Sequence, residues 1–281
     1  MKHIKIAGAV VLYQPTDEDI ANISSYIKDI DHLYVMDNST NENKKRLPKS
    51  KKIEYIFNHQ NLGIAAPLNL AAQKAREAGY TWLLTMDQDT FFPSGILATM
   101  KERIATMDTE DIGIVTPWHK TRLKVEKPKE AISYPLDVMT SGNLVNLAIH
   151  EKIGGFKEWL FIDGVDIEYC LNLRKHGYRI MRFNDLEIDH NLGDIFYRNF
   201  FGKELLVTNH RAMRRYYQAR NYRYIRDMYL EVDEEFCRRL VKFKSILLAI
   251  LLYEKQKFAK IKAYYHGYRD YKQGKRGRSY E

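Results

Sequence analysis

Two aspartates, Asp87 and Asp89, follow the apolar run Trp82–Met86 and are separated only by Gln88. Side chains repeat every second residue in an extended chain, so the two carboxylates are expected to point the same way. Such a pair can bind a hard divalent cation and, through it, a diphosphate. A solvated turn after a strand would have the same sequence, so the spacing by itself leaves both interpretations open.

A second group of acids, Asp163, Asp166 and Glu168, lies at the start of a helix predicted for Asp166–His176. A carboxylate in such a group can accept the proton of a reacting hydroxyl. Repulsion between neighbouring acids raises their proton affinity toward a useful range. The alternative is that these acids only favour the positive N-terminal end of the helix.

Two further polar groups are candidate ligand contacts, the first for a nucleoside and the second for a phosphate or a sugar. Asp37 is followed by Asn38 and Ser39 at the end of a predicted strand, and Asn61-Leu62-Gly63 precedes Asn69 near a helix start. Because Asn, Asp and Ser are also common turn and N-cap residues, a structural role explains each group equally well.

The segment from His210 to Asn221 is rich in arginine and tyrosine. Arginine binds phosphate through two parallel hydrogen bonds, and aromatic faces stack on sugar rings or lipid headgroups. A solvated helix that pairs with local acids is the alternative. The candidates in this segment are His210, Arg214, Arg215, Tyr216, Tyr217, Arg220 and Asn221.

These polar groups belong to a regular alternation of short apolar runs and helical segments. This alternation predicts βαβ units and a mostly parallel sheet. Ligands of such sheets bind beyond the carboxyl ends of the strands, where Asp37, Asn58–Gly63 and Asp87 are expected to lie. The predicted strands are Ile4–Tyr13, Leu33–Met36, Ile53–Phe57, Trp82–Met86, Ile112–Thr116 and Asp137–Val145, and helices are predicted for Asp17–Asp29 and within Asn61–Ala78.

The chain beyond about Phe200 is predicted to be wholly helical and to end in a basic extension. The last 46 residues contain 13 Lys and Arg against 3 Asp and Glu, while the rest of the chain is nearly neutral. Apolar residues recur at helical spacing from Phe236 to Tyr268, which predicts an amphipathic helix on an anionic membrane surface. Packing on the core or on a second subunit is the alternative. Lys275–Arg278 is expected to be disordered.

Composition limits the class and the location of the protein. The 281 residues, 45% of them hydrophobic, can form one large domain or a domain with an appendage. Two cysteines, no signal-peptide pattern and no apolar run near the roughly 20 residues of a spanning helix predict a cytoplasmic protein. Charge confined to the tail argues against a nucleic-acid-binding groove. A nucleotidyltransferase is disfavoured because Gly8–Pro15 offers no glycine-rich loop.

The order of these motifs resembles glycosyltransferase family 2, which has the GT-A fold, and within it a bacterial rhamnosyltransferase-like branch. The resemblance covers residues 4–225. It depends on the strand ending near Tyr13, on Val35–Ser39, Asn61–Gly63 with Asn69, Asp87–Asp89, Thr140–Asn143, Gly154–Phe156 and Phe161–Glu168, and on the Arg-x-Tyr-Tyr-x-x-Arg-Asn pattern from Arg214 to Asn221.

The resemblance implies an α/β protein with a Rossmann-like, mostly parallel sheet flanked by helices. Residues 1–230 would be the catalytic domain and residues 231–281 a helical extension. The implied reaction is an inverting sugar transfer from dTDP-L-rhamnose, with UDP-galactofuranose or a UDP-hexose as alternatives. The acceptor would be a growing surface polysaccharide on a polyprenyl diphosphate. The protein would act peripherally at the inner face of the cell membrane, and its C-terminal helices are candidates for homo-oligomer contacts.

The resemblance also assigns roles to single residues. Asp166 aligns with the base, and Asp163 remains an alternative because Val165 stands where many relatives have an acid. Asp87, Asp89 and His190 are expected to hold Mn²⁺ or Mg²⁺. The expected donor-binding residues are Tyr13, Asp37 (at the base of the nucleotide), Asn61, Gly63, Asn69, Asp87, Gln88 and Asp89. Those expected at the acceptor or at a phosphate are Ser141, Gly142, Asn143, Asp163, Glu168, Arg214, Tyr217, Arg220 and Asn221.

Overall fold

The computed structural model describes residues 4–121, 126–189 and 195–280. Within these ranges, runs of apolar residues form one large sheet. Its strands are β1 (Ile6–Leu12), β2 (His32–Asp37), β3 (Ile53–Phe57), β4 (Trp82–Asp87), β5 (Ile112–Lys120), β6 (Ile132–Ser133), β7 (Asn143–Asn146) and β8 (Arg179–Asp189).

The strand order across the sheet is β3-β2-β1-β4-β7-β5-β8-β6. Strands β3, β2, β1 and β4 are parallel neighbours, and β5 is parallel to β8. The short strand β7 runs antiparallel between β4 and β5, and β6 runs antiparallel to β8. The prediction of a mostly parallel sheet is confirmed, and the carboxyl ends of β1, β2 and β4 lie at one edge.

Helices cover both faces of this sheet. Alternate residues of β1 point to opposite sides: Ala7 and Ala9 pack in one buried cluster with α2, whereas Ile6 and Val10 pack in a second cluster with α1 and α3. A sheet buried on both faces explains why its strands read as continuous apolar runs. The helices are α1 (Asp17–Tyr26), α2 (Ala65–Glu77), α3 (Ile96–Thr106), α4 (Leu147–Lys152), α5 (Val165–Lys175), α6 (Ala212–Tyr229), α7 (Glu234–Leu240), α8 (Phe243–Tyr253) and α9 (Lys257–Lys272).

Two predicted elements are wrong. Of the strand predicted for Asp137–Val145, only the part from Asn143 pairs with the sheet, because Gly142 takes a left-handed conformation with φ of 79°. The region after Phe200 is not wholly helical: β9 (Phe196–Phe200) and β10 (Lys203–Val207) form an antiparallel hairpin. A sequence signal for this hairpin is Gly202 in the turn between the two strands, where φ is 77°.

The predicted tail helix is divided into α7, α8 and α9, and Gln256 before α9 has a φ of 53°. Helix α9 packs along α6 so closely that a Cβ on Gly267 would lie 2.2 Å from the Tyr216 carbonyl oxygen. The expectation of disorder after α9 is wrong, because Gly277 donates a backbone hydrogen bond to the Trp159 carbonyl. In the described part of the chain, no helix is both long enough and apolar enough to cross a bilayer.

Candidate active site

Two adjoining cavities open at the carboxyl ends of β1, β2 and β4, and Asp87 and Asp89 line both of them. We call the smaller one, about 260 Å³, the donor-side cavity because the expected donor-binding residues Tyr13, Asn61 and Gly63 line it alone. We call the larger one, about 400 Å³, the acceptor-side cavity because Asp163 and Arg214, expected at the acceptor or a phosphate, line it alone. The donor-side cavity is lined by Val11, Tyr13, Asn38, Asn61, Gly63, Ile64, Leu68, Met86, Asp87, Gln88, Asp89, Thr140, Phe161, Ile162 and Met213. Asp163, Asp166, His210, Arg214 and Tyr222 are among the residues of the acceptor-side cavity.

The turn before β7 fixes the backbone of Asp87 at the end of β4. The Asp87 backbone N–H donates to Ser141 Oγ over 3.0 Å, and the Ser141 hydroxyl donates to Thr90 Oγ1 over 2.9 Å. The Gly142 N–H donates to the Thr85 carbonyl over 2.8 Å. Ser141 and Gly142, which were predicted to bind the acceptor or a phosphate, therefore position Asp87 from inside the protein.

Negative charge is concentrated where the cavities meet. Loss of water contact, followed by repulsion from Asp89 and Asp166, raises the pKa of Asp87 to about 7, and Arg214 opposes this shift. A divalent cation would relieve the repulsion. Mg²⁺ is commonly held by one or two carboxylates together with substrate phosphates and water, so Asp87 and Asp89 fit such an ion. No group of three potential ligands converges within the described ranges, and the predicted ligand His190 lies outside them.

Asp166 lies in the first turn of α5 and is half-buried in the wall of the acceptor-side cavity. Burial raises its pKa to about 6; the hydrogen bond from the Ile167 N–H opposes this shift, while the charges of Asp163 and Asp137 add to it. That hydrogen bond reaches Oδ1 over 2.8 Å. A carboxylate with a pKa near 6 is largely ionised at neutral pH and can accept a proton there.

Asp163 is buried in an ion pair. Arg214 Nε lies 3.1 Å from each Asp163 oxygen, and Arg214 Nη2 donates to Oδ1 over 2.6 Å. Gln218 Nε2 adds a hydrogen bond of 3.3 Å to the same oxygen. Beside Arg214, the pKa of His210 falls to about 3, because burial and the neighbouring cations disfavour the imidazolium. The acceptor-side cavity therefore contains a compensated carboxylate, an arginine and a neutral imidazole.

Asp37 is fully buried and does not line either cavity. It accepts hydrogen bonds from Tyr55 OH (2.6 Å), from the Ser39 N–H (2.9 Å), and from the N–H (3.1 Å) and Nδ2 (3.0 Å) of Asn43. Burial would raise the pKa of Asp37, but these hydrogen bonds outweigh it and lower the pKa below its usual value. Its neighbour Asn38, which the sequence placed in the same polar cluster but not among the expected donor-binding residues, lines the donor-side cavity.

The loop before α2 forms the outer wall of the donor-side cavity. Asn38 Nδ2 donates to the Gly63 carbonyl over 2.7 Å, and Asn61 Oδ1 accepts from the Gly63 N–H over 2.9 Å. A Cβ on Gly63 would lie 2.2 Å from the Phe161 carbonyl oxygen, so this close approach requires glycine. Gln88 accepts from the Tyr13 N–H over 2.8 Å, which joins the ends of β1 and β4.

Several predicted ligand residues are engaged elsewhere. Asn69 is bound to Phe156 and Glu158, and Asn143 Nδ2 donates to the Met139 carbonyl. Glu168 is buried and accepts a hydrogen bond from Tyr229, and burial raises its pKa to about 7. The fully buried residues Tyr217, Arg220 and Asn221 bind protein groups. Neither cavity is lined by Asn69, Asn143, Glu168, Tyr217, Arg220 or Asn221.

Asn221 holds the loop that joins the two cavities, whose residues are Leu160, Phe161, Ile162 and Asp163. Its Nδ2 donates to the carbonyls of Leu160 (2.9 Å), Ile162 (2.8 Å) and Asp163 (2.9 Å). Sequence reasoning missed the lining residues Ile64, Met139, Thr140, Ile162 and Tyr222. Apolar and aromatic wall residues carry no spacing signal, although Thr140 and Ile162 stand inside motifs that were recognised.

Comparison with known proteins decides the family. The model of Glycosyl transferase family 2 matches residues 18–165, more than half of the chain. The chain belongs to glycosyltransferase family 2. The chain is also 26% identical to the dTDP-rhamnosyl transferase RfbF of Shigella flexneri, over 77% of this chain and 78% of the relative. The resemblance to a rhamnosyltransferase-like branch is therefore confirmed.

Solved structures of other glycosyltransferases share the fold. S. aureus TarS 1-349 in complex with UDP-GlcNAc has a TM-score of 0.55 and 13% identity, over 97% of this chain and 93% of TarS 1-349. GalNAc-T7 with UDP, GalNAc and Mn²⁺ has a TM-score of 0.53 and 11% identity, over 71% of this chain and 45% of GalNAc-T7. The predicted GT-A fold, with a helical C-terminal region, is confirmed.

Proposed function

We propose that this family 2 glycosyltransferase transfers L-rhamnose from dTDP-L-rhamnose to a hydroxyl of a growing, lipid-linked surface polysaccharide. The observation that carries the proposal is the position of Asp87 and Asp89 on the wall common to the two cavities. A donor in one cavity and an acceptor in the other would meet at these carboxylates. The likeness to the Shigella flexneri dTDP-rhamnosyl transferase favours rhamnose, and a UDP-sugar is the alternative.

The proposed chemistry is a single displacement with inversion. The acceptor oxygen attacks the anomeric carbon, the bond from that carbon to the diphosphate oxygen breaks, and Asp166 takes the hydroxyl proton. Asp166 suits this role better than Asp163, because Asp163 is neutralised by Arg214. A Mn²⁺ or Mg²⁺ ion held by Asp87 and Asp89 would offset the charge that develops on the departing nucleotide.

Asn38, Asn61 and Tyr13 would contact the donor, and Asp37 would act indirectly by fixing the loop that carries Asn38. At the acceptor, Arg214 is the candidate for a phosphate contact because its side chain is 41% exposed in the cavity wall. We assign these roles to residues 1–230. Residues 231–281 form the extension, which we propose holds the enzyme at the membrane.

The extension would bind the anionic inner face of the cell membrane. In α9, Phe258 and Tyr265 are 91% and 62% exposed, whereas Lys260, Ala263 and Gly267 face α6. The apolar stripe predicted from the sequence thus points outward in α9. Exposed aromatic side chains surrounded by lysines and arginines suit an interface with acidic lipids. Association of two chains through the same face is the alternative outcome.

The test is transfer by the purified protein with Mn²⁺ and dTDP-L-rhamnose, UDP-galactofuranose or a UDP-hexose, with the anomeric configuration of the product read by NMR. Asp166→Asn should keep donor binding and lose at least about 100-fold in kcat, because the group that takes the hydroxyl proton is removed. Asp89→Ala should instead lose metal-dependent donor binding. Turnover by Asp166→Asn near the wild-type rate would exclude Asp166 as the base.

A further inference from the structure

The segment that follows α9, residues Lys275–Tyr280, folds back onto the catalytic region, and we call it the C-terminal strap. The Gly277 N–H donates to the Trp159 carbonyl over 2.8 Å. The Arg276 guanidinium lies 4.8 Å from the centre of the Trp159 ring. The Tyr280 ring lies 5.2 Å from the ring of Tyr216 in a buried cluster. The strap is therefore a packed part of the fold.

A buried arginine fixes the position of the strap. Arg220 is fully buried, and its Nη1 donates to the Gly277 carbonyl over 2.6 Å and to Ser279 Oγ over 3.2 Å. Its Nη2 donates to the Trp159 carbonyl over 3.3 Å. A buried cation destabilises the fold unless its hydrogen-bond donors are satisfied. Displacing the strap would leave Arg220 Nη1 without these partners and would therefore be unfavourable. The residues of the strap are thus held in register with the catalytic loops.

The next residue of the strap reaches the mouth of the donor-side cavity. Arg278 Nη1 donates to the Asn61 carbonyl over 3.4 Å, and the guanidinium lies 5.9 Å from the centre of the Phe161 ring. Asn61 and Phe161 both line that cavity. Arg278 is exposed, and among the residues that the structure describes no carboxylate forms an ion pair with it.

The described lining of the donor-side cavity is negatively charged, so a cation at its mouth would favour an anionic ligand. Among the described residues that line it, Asp87 and Asp89 are charged and none is lysine, arginine or histidine. A nucleoside diphosphate would bring further negative charge into this space. One divalent ion on Asp87 and Asp89 would share its charge between these carboxylates and the diphosphate, so a further cation at the mouth of the cavity would strengthen donor binding.

We propose that Arg278 binds the diphosphate of the nucleotide-sugar donor at the mouth of the cavity; this inference rests on the proposed function. The planar guanidinium can donate two parallel hydrogen bonds to phosphate oxygens. Apart from the 3.4 Å bond from Nη1 to Asn61, no hydrogen bond of this guanidinium occurs within the described ranges, so Nε and Nη2 can turn inward. Arg278 would thus complete a site whose other residues lie between Val11 and Ile162 and at Met213 in α6.

The test compares four proteins, wild type, Arg278→Ala, Arg278→Lys and Lys275→Ala, with Mn²⁺ present. Calorimetric titration gives the Kd of dTDP and UDP, and NMR titration gives the weaker Kd of thymidine and uridine. Lys275→Ala is the matched control. It removes one positive charge from the strap, as Arg278→Ala does, but Lys275 pairs with Asp270 at 3.3 Å instead of lying at the cavity mouth. Thermal unfolding of each variant checks that the strap still packs.

Arg278→Ala should weaken diphosphate binding by roughly tenfold and leave nucleoside binding unchanged, because only a charge-assisted contact to phosphate is lost. Arg278→Lys should restore part of the affinity, and Lys275→Ala should behave as wild type. Equal weakening of nucleoside and diphosphate, or an equal effect of the two alanine variants, would overturn the role of Arg278. If wild type binds no nucleoside diphosphate at all, the proposed function itself fails.

Discussion

Asp87→Asn should make the metal-free protein more stable at pH 8, although it removes a residue of the proposed active site. The pKa of Asp87 rises from its usual 3.8 to about 7, first through loss of water contact and then through Asp89 and Asp166. A carboxyl group whose pKa is raised in the folded state favours folding at low pH, and this contribution is lost as the pH rises through the folded pKa. An amide does not titrate.

The size of the effect follows from the window between the two pKa values. From pH 5 to pH 7 the unfolded chain has already released the proton and the folded chain still holds it. Each pH unit in that range lowers the unfolding free energy of the wild type by about 1.4 kcal/mol. The loss between pH 5 and pH 7 is therefore about 3 kcal/mol. Because Asp87 is half-buried and partly screened by water, we expect roughly half of this. The gain of the variant over the wild type should therefore grow by about 1.5 kcal/mol between pH 5 and pH 8.

The assay is urea unfolding at both pH values in the presence of a chelator, for wild type, Asp87→Asn and Asp37→Asn. Asp37 is the matched control because its pKa is lowered, so its ionised form stabilises the fold at pH 8 and its amide variant should be destabilised there. Mn²⁺ should then stabilise the wild type more than Asp87→Asn. A pH-independent difference between wild type and Asp87→Asn would refute the account of the acidic wall.

Two other predictions concern the loop and the extension. Asn221→Ala should lower the unfolding free energy by about 3 kcal/mol in urea, because three backbone carbonyls lose their shared donor; a change below about 1 kcal/mol would contradict that role. Replacing Phe258 and Tyr265 together by serine should lower sedimentation with anionic liposomes roughly tenfold without unfolding the protein. Unchanged sedimentation, or a change only in oligomeric state, would count against membrane binding by α9.

The first half of the fold could be predicted because its signals are local. The strands β1, β2 and β4 are buried on both faces and appear as mostly apolar runs, and Asp87 and Asp89 come at the end of β4. The ordered motifs then placed Asp166 and Arg214 in the same cavity wall. The turn residue Gly202 of the hairpin β9–β10 was present in the sequence, but Leu205–Val207 is a continuous apolar run that does not distinguish a strand from a helix.

The remaining errors concern contacts between distant parts of the chain. Arg220 and Asn221 have the residue types of a phosphate site, but their partners are carbonyls near Leu160 and Gly277, about 60 residues away. Asn69 is similarly engaged with Phe156. A polar side chain that binds backbone in the interior has the same sequence signature as one that binds a ligand. The short basic strap reads as disordered because the buried Arg220 that fixes it lies elsewhere in the sequence.

The loop held by Asn221 has a consequence for ligand binding. Phe161 forms part of the wall of the donor-side cavity, and Asp163, only two residues later, carries the ion pair with Arg214 in the acceptor-side cavity. Both residues have positive φ angles, 67° and 60°, a strained conformation that the Asn221 hydrogen bonds help to hold. A ligand that shifts this loop in one cavity should therefore change the affinity of the other cavity for its ligand.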